Sequence, residues 1–196
     1  MRKTYCIIIF SLTFAGAFAQ NVASINGRPV GSKEFMWVYK KNHSGTANAA
    51  FKELEDYLNL YLNFKLKVLD AIEMGFDKDT AYLTEIKNYE AALRTRKKIS
   101  NTKATHSMVM NEYKNAVLMF NISELKVWDK AQNDEGQLRN FYERNKLFYN
   151  DGPFEEVKGK VINDYQEVLE REWVAALRKK YPVKIYEAEL RKLAKL

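Results

Sequence analysis

Cysteine, histidine and proline are scarce in this chain of 196 residues, which has one Cys, two His and three Pro. Each shortage excludes something. A lone Cys6 closes no intramolecular disulfide, so no framework of crosslinks carries the fold. His43 and His106 have no partner at ligand spacing, and there is no HExxH or Cys/His cluster, so no metal site can be read. No GxGxxG turn, phosphate loop or GxSxG elbow offers a start for dinucleotide, nucleotide or acyl-transfer chemistry. The acid pair Glu155-Glu156 suits the positive start of a helix better than a catalytic dyad. No residue presents itself as catalytic, and no cofactor is implied.

An apolar run from Cys6 to Phe14 follows Arg2 and Lys3 and precedes Ala17-Phe18-Ala19. A basic start, a short apolar stretch and small residues at a cleavage site are the layout of a secretory signal peptide, here residues 1–19, cut after Ala19. A retained anchor is the alternative, but the run falls short of the roughly 18 apolar residues a span needs. Residues 20–196 are then expected to form one domain. Loss of Arg2 and Lys3 lowers the formal charge from +7 to +5, and Cys6 leaves with them. The remaining Lys and Arg are interspersed with Asp and Glu, which argues against a nucleic-acid partner. Asn42-His43-Ser44 and Asn121-Ile122-Ser123 match the three-residue glycosylation pattern, a weak signal.

What is abundant is helical periodicity. Asn26-Gly27, between short apolar runs in Val22 to Gly31, favours a type I′ hairpin, and Pro29 confines its strand to an edge. Ser32 is placed to cap a helix bearing Phe35, Met36, Val38 and Tyr39. His43 to Ala50 reads as a loop. Phe51 to Gly75 has no internal breaker and ends on the glycine a C′ position prefers. A one-sided helix starts near Thr80, with Tyr82, Ile86, Tyr89 and Leu93 in phase, and weakens over Arg94 to Ser107. Ser123 reads as an N-cap with Ile122 and Val127 as its hydrophobic staple, and Asp134 with Gln137 as a capping box. Pro153 opens a long helix that Pro182 stops, Val183 to Tyr186 alternates as a strand would, and Glu187 to Leu193 adds a last turn or two.

The helix from Phe51 carries more apolar surface than one face can hold. Leu54, Leu58, Tyr61 and Leu69 form one stripe, and Tyr57, Leu60, Phe64 and Val68 form another. Such a helix is buried in a core or lines a groove. The surplus face, Tyr57, Leu60, Tyr61, Phe64 and Val68, with Trp37 and Tyr39 nearby in sequence, is the candidate binding surface. Aromatic side chains bury much area with few rotatable bonds. Trp37, Trp128 and Trp173 otherwise read as core residues.

NVASINGRPVGSKEFMWVYKKN followed by YLNLYLNFKLKVLDAIEMGFD resembles the amino-terminal region of the SurA-like periplasmic foldases, which carry parvulin-type peptidyl-prolyl isomerase modules. NEYKNAVLMFNISELKVWDKA with LRNFYERNKLFY, and then FEEVKGKVINDYQEVLEREWVAALRKKYPVKIYE, are similar to the later helical segment and the carboxy-terminal helix and strand of that family. The pieces occur in the family's order and cover most of residues 20–196. The parvulin modules are missing: where they would lie, only the polar stretch Arg94 to Ser107 stands, with His106 unaccompanied. The resemblance implies a mostly α fold, a helical chaperone core whose amino-terminal hairpin joins the carboxy-terminal strand in a small sheet. It also implies a periplasmic holdase for unfolded or partly folded exported proteins, outer-membrane proteins among them. The alternatives are a prolyl isomerase in its own right, although the catalytic module is absent, and a helical partner subunit of a full-length foldase.

Overall fold

The structure is a computed structural model that describes residues 21–43, 49–95 and 103–194. The expected signal peptide lies outside the described residues, as do parts of the His43 to Ala50 loop and of the Arg94 to Ser107 stretch. The chain is mostly helical with one small antiparallel sheet, as expected.

Strands β1 (Asn21–Ile25) and β2 (Arg28–Gly31) meet at Asn26-Gly27, whose φ angles of 48° and 76° are those a type I′ turn requires. The edge strand is β2, which holds Pro29, and β1 is central, paired on its other side with β3 (Val183–Ile185). Ala23 faces Ile185 and Ile25 faces Val183. Two further backbone bonds extend this seam: Asn26 N–H to the Pro182 carbonyl at 2.8 Å, and Tyr186 N–H to that of Val22 at 2.9 Å. A bulge between Asn21 and Ala23 breaks the alternation of faces, which lets Val22 and Ala23 both be buried.

Helix α1 (Ser32–Asn42) follows β2 directly. Its cap is Gly31, in extended conformation, and Ser32 sits inside the first turn, with its buried hydroxyl unpaired among the described residues. Ser32 is therefore not the cap expected from sequence: the helix starts one residue earlier, directly after β2, and Gly31 holds the extended cap position. Helix α2 (Phe51–Glu73) ends at Gly75, whose φ of 82° confirms the expected left-handed stop. Helix α3 (Thr80–Thr95) and α4 (Lys103–Ser123) follow.

Ser123 is also not a cap. It is helical and buried, its hydroxyl 3.4 Å from the Met119 sulfur, and the chain continues through a π-helical turn, Glu124–Trp128, into α5 (Asp129–Asn133). The misreading has a physical source. A staple joins residues five apart, as Ile122 and Val127 are, and five is also the hydrogen-bond spacing of a π turn. At Asp134 the cap is real: its Oδ1 accepts the Gln137 N–H at 3.0 Å and opens α6 (Glu135–Asn145).

A 3₁₀ turn, Lys146–Tyr149, and two left-handed residues, Asn150 and Asp151, then reverse the chain into α7 (Phe154–Lys180). Helix α7 spans about 40 Å at 1.5 Å per residue and ties three apolar clusters together. Its start packs with Leu138, Tyr142 and Tyr149 of the α6 hairpin. Its middle, at Trp173, touches the cluster of α2, α3 and α4 built on Val68, Ala71, Ile86, Leu118 and Ile122. Its end delivers Leu177 and Tyr181 to the sheet, where α8 (Glu187–Leu193) adds Leu190 beside Phe35, Leu54, Leu58, Leu62 and Leu66.

Candidate functional site

The four leucines Leu54, Leu58, Leu62 and Leu66 recur every fourth residue and turn one face of α2 into the sheet-side core. The neighbouring face is left over. Between α1, α2 and α4 it opens into a groove of about 380 Å³. Helix α2 supplies Tyr57, Leu60, Tyr61 and Phe64, α1 supplies Trp37 and Val38, and α4 closes the far side with Met108 and Ala116. The polar rim consists of Glu34, Asn42, Asn111, Glu112 and Asn115. Leu60 is 66 % exposed within this setting, an apolar side chain held in the open.

The rings that form the floor are fixed from behind. Phe35 lies 6.0 Å from both Tyr57 and Tyr61, centre to centre, and Tyr61 stacks on Phe64 at 6.1 Å. Tyr57 accepts a hydrogen bond from the Asn42 amide at 2.6 Å. The Tyr61 hydroxyl donates to Glu34 Oε1 at 2.6 Å, and Lys65 donates to the same oxygen at 3.0 Å. Burial pulls the Glu34 carboxyl upward, but the Tyr61 hydroxyl and the Lys65 ammonium outweigh it and hold it below its ordinary value. Burial first, and the Glu34 carboxylate second, push the Tyr61 hydroxyl well above the usual phenol range. Both groups therefore keep fixed protonation states around neutrality, Glu34 charged and Tyr61 neutral. Across the groove, Lys41 of α1 bridges to Glu112 of α4 at 2.6 Å while lying over the Trp37 ring.

Of the residues chosen from sequence, Trp37, Tyr57, Leu60, Tyr61 and Phe64 meet in this groove. Tyr39 and Val68 do not. Tyr39 is 1 % exposed and lies in the sheet-side core, its hydroxyl on Glu53 and its ring stacked on His43 at 4.1 Å. Two residues along a helix turn the side chain by about 200°, so when Trp37 faces the groove Tyr39 cannot. Burial first, and Glu53 second, push the Tyr39 hydroxyl up to about 12. Val68 is 5 % exposed, inside the α2–α3–α4 cluster, past the point where α4 closes over α2. The α4 contribution was missed altogether. Its only trace in sequence is Asn111 and Asn115, spaced one turn apart, with small Ala116 beside them where a larger side chain would fill the groove.

The tryptophans expected in the core are all only half-buried. Trp37 lines the groove and Trp128 packs edge-on against exposed Phe120 at 5.0 Å, whereas Trp173 bonds Asp70 and packs, as expected, against both the sheet-side core and the α2–α3–α4 cluster.

Among the described residues no group of three or more His, Cys, Asp or Glu side chains is placed to hold a metal ion, and no helix is long and apolar enough to cross a membrane. What the groove offers chemically is an aromatic floor for apolar side chains and a rim of amides, which both donate and accept hydrogen bonds as a peptide backbone does. No family model matches the chain, and no significant match was found among curated proteins or among solved structures.

Proposed function

We propose that this chain is a periplasmic holdase-type chaperone that binds unfolded or partly folded exported polypeptides in the groove between α1, α2 and α4. The observation that carries the reading is Leu60, left open to solvent on an aromatic floor that is braced from behind and rimmed by amides. Exposed apolar area in a concave, polar-rimmed setting marks an interaction surface. Glu34 stays charged and Tyr61 neutral around neutrality, which suits reversible capture of the kind that export from the cytoplasm, away from ATP, would require. The signal-peptide pattern of residues 1–19 supports an exported location for the reading.

The deciding experiment titrates the protein with residues 1–19 removed into an unfolded outer-membrane protein that aggregates on dilution, while prolyl isomerisation of a short peptide is followed on the same sample. Aggregation should fall with added protein, and the isomerisation rate should stay at background. Isomerisation that rises in proportion to protein concentration would replace the holdase by the isomerase. A stable complex with a full-length foldase, and no protection of clients, would replace it by the partner subunit.

A further inference from the structure

The small sheet has two edges of unequal chemistry. The strand order β2-β1-β3 leaves β2 and β3 outermost. Main-chain bonds from Asn26 N–H to the Pro182 carbonyl and from Tyr186 N–H to the Val22 carbonyl fix which groups face where. Bonded and non-bonded pairs alternate along an antiparallel ladder, so Ser24 and Lys184 form the bonded pair between those two, and the N–H and C=O of Val183 and Ile185 point away from β1. Among the described residues nothing hydrogen-bonds to these outward groups. The other edge differs. Ser24 spends its main-chain bonds on Lys184, so β1 bonds β2 through Ala23–Val30 and Ile25–Arg28, and the outward position between them is Pro29, which has no N–H to give. The β2 edge is closed to a further strand at its middle, and the β3 edge is open.

The side chains of β3 say what kind of strand fits. Val183 and Ile185 are half-buried and pack on the sheet-side core, while Lys184 is exposed on the opposite face. The Lys184 ammonium lies 5.4 Å from the centre of the Tyr186 ring and pairs with no carboxylate among the described residues. A second copy is a poor occupant. Two-fold pairing of β3 with itself sets Val183 against Ile185 and brings Lys184 directly opposite Lys184 of the other copy, and like charges so placed destabilise a ladder. A shift of two residues separates the lysines but leaves one bonded pair, because Pro182 precedes the strand and α8 begins at Glu187.

We propose that β3 accepts a fourth strand from an extended client polypeptide, antiparallel to it, with apolar residues opposite Val183 and Ile185 and an acidic residue opposite Lys184. Only an extended backbone presents donors and acceptors at the spacing of these outward groups, and in strand addition the main chain supplies the affinity while alternate side chains supply the selectivity. Residues paired across a ladder share a face, so the apolar pair continues the core side and the acid meets the unpaired ammonium. So short an edge binds weakly and releases readily. The proposal rests on the holdase reading only in taking an exported client as the source of the strand, and its site shares no residue with the groove.

The test is amide exchange, read by NMR on the protein with residues 1–19 removed, as a blocked seven-residue peptide of threonine with a central Val-Glu-Val is added. Peptide is taken to about 5 mM, since a few main-chain bonds must first offset the cost of association. Exchange of the Val183 and Ile185 amides should slow with saturation, about twofold at half-saturation. The same peptide methylated on both valine nitrogens keeps its side chains and loses its donors, and should protect neither amide. A Val-Lys-Val centre should need several-fold more peptide. The exposed groove variant Leu60→Ser should respond as the parent does. Exchange at Val183 and Ile185 that ignores the peptide, or slows as well with the methylated one or with the lysine centre, would overturn the proposal. So would a response lost in Leu60→Ser, which puts the peptide in the groove, or slowing with protein concentration alone, which puts a second copy on the edge. Protection of these amides without suppression of client aggregation would count against the holdase and leave the edge site intact; suppression with the amides unprotected would do the reverse.

Discussion

The Trp173 indole donates to Asp70 Oδ2 at 3.0 Å, joining α7 to α2 across 103 positions of sequence. Asp70 is buried and has Lys180 3.7 Å away, while Lys67 lies over the Trp173 ring and pairs with Glu170. This junction stands between the sheet-side core and the α2–α3–α4 cluster, so it sets how α7 crosses the groove-bearing helix.

Trp173→Phe leaves a smaller aromatic ring and removes the donor. A buried carboxylate is then short of one hydrogen bond, in addition to the packing lost with the rest of the indole. The lost bond alone costs about 1–3 kcal/mol. It should appear as a lower urea midpoint with unchanged slope. A midpoint equal to that of the parent would mean that the junction holds nothing.

The features legible in the sequence are those a few adjacent residues decide. Asn26-Gly27 turns because both residues tolerate positive φ, Gly75 stops α2 for the same reason, and Asp134 caps because its carboxylate reaches the N–H three residues on. Ser123 carries the same type of signal, but the burial of Ile122 and Val127 on one continuous helix overrides it. The groove was half legible. The surplus face of α2 follows from its own periodicity, whereas the opposing wall, Met108 to Ala116, is set by how α4 lies across α2. No local pattern encodes that crossing. Tyr39 is close to Trp37 in sequence but two residues along the helix, so it lies on the opposite face.

Glu34 makes the groove sensitive to acid in a defined direction. Its folded pKa lies below the ordinary 4.5, so its bonds to Tyr61 and Lys65 contribute stability that is complete above about 4.5 and fades as pH falls through the folded value. Glu34→Gln removes the charge. The stability gap between parent and variant should therefore be larger at pH 7 than at about pH 3. Urea midpoints at the two pH values measure it, and an unchanged gap would show that the Glu34 charge does not stabilise this floor.

The sheet makes a prediction about the two ends of the domain. A two-stranded ribbon is marginal alone, and the sheet gains its third strand, and β1 its second neighbour, from β3. Removing Val183 to Leu196 also takes Leu190 out of the core. Amide exchange should then accelerate in Val22 to Val30 and in the last turns of α7 together. If β1 kept its protection after the truncation, the closure of the sheet by β3 would be wrong.

The sharpest test contrasts two leucines two positions apart on α2. Leu58 is fully buried against the sheet, and Leu60 projects into the groove. Leu58→Ala should cost about 2–5 kcal/mol, the range for truncating a buried leucine. Leu60→Ser should change stability by no more than about 0.5 kcal/mol, because its side chain already meets water. Function should divide the other way. Below the concentration at which Leu58→Ala unfolds in urea, that variant should still suppress client aggregation, since Tyr57, Leu60, Tyr61 and Phe64 are all present. Leu60→Ser, folded and as stable as the parent, should protect clients less, and adding Phe64→Ser should weaken protection further. Circular dichroism and urea midpoints report the first half, and light scattering from an aggregating client the second. A Leu60→Ser protein that protects clients as fully as the parent would remove the groove from the binding surface.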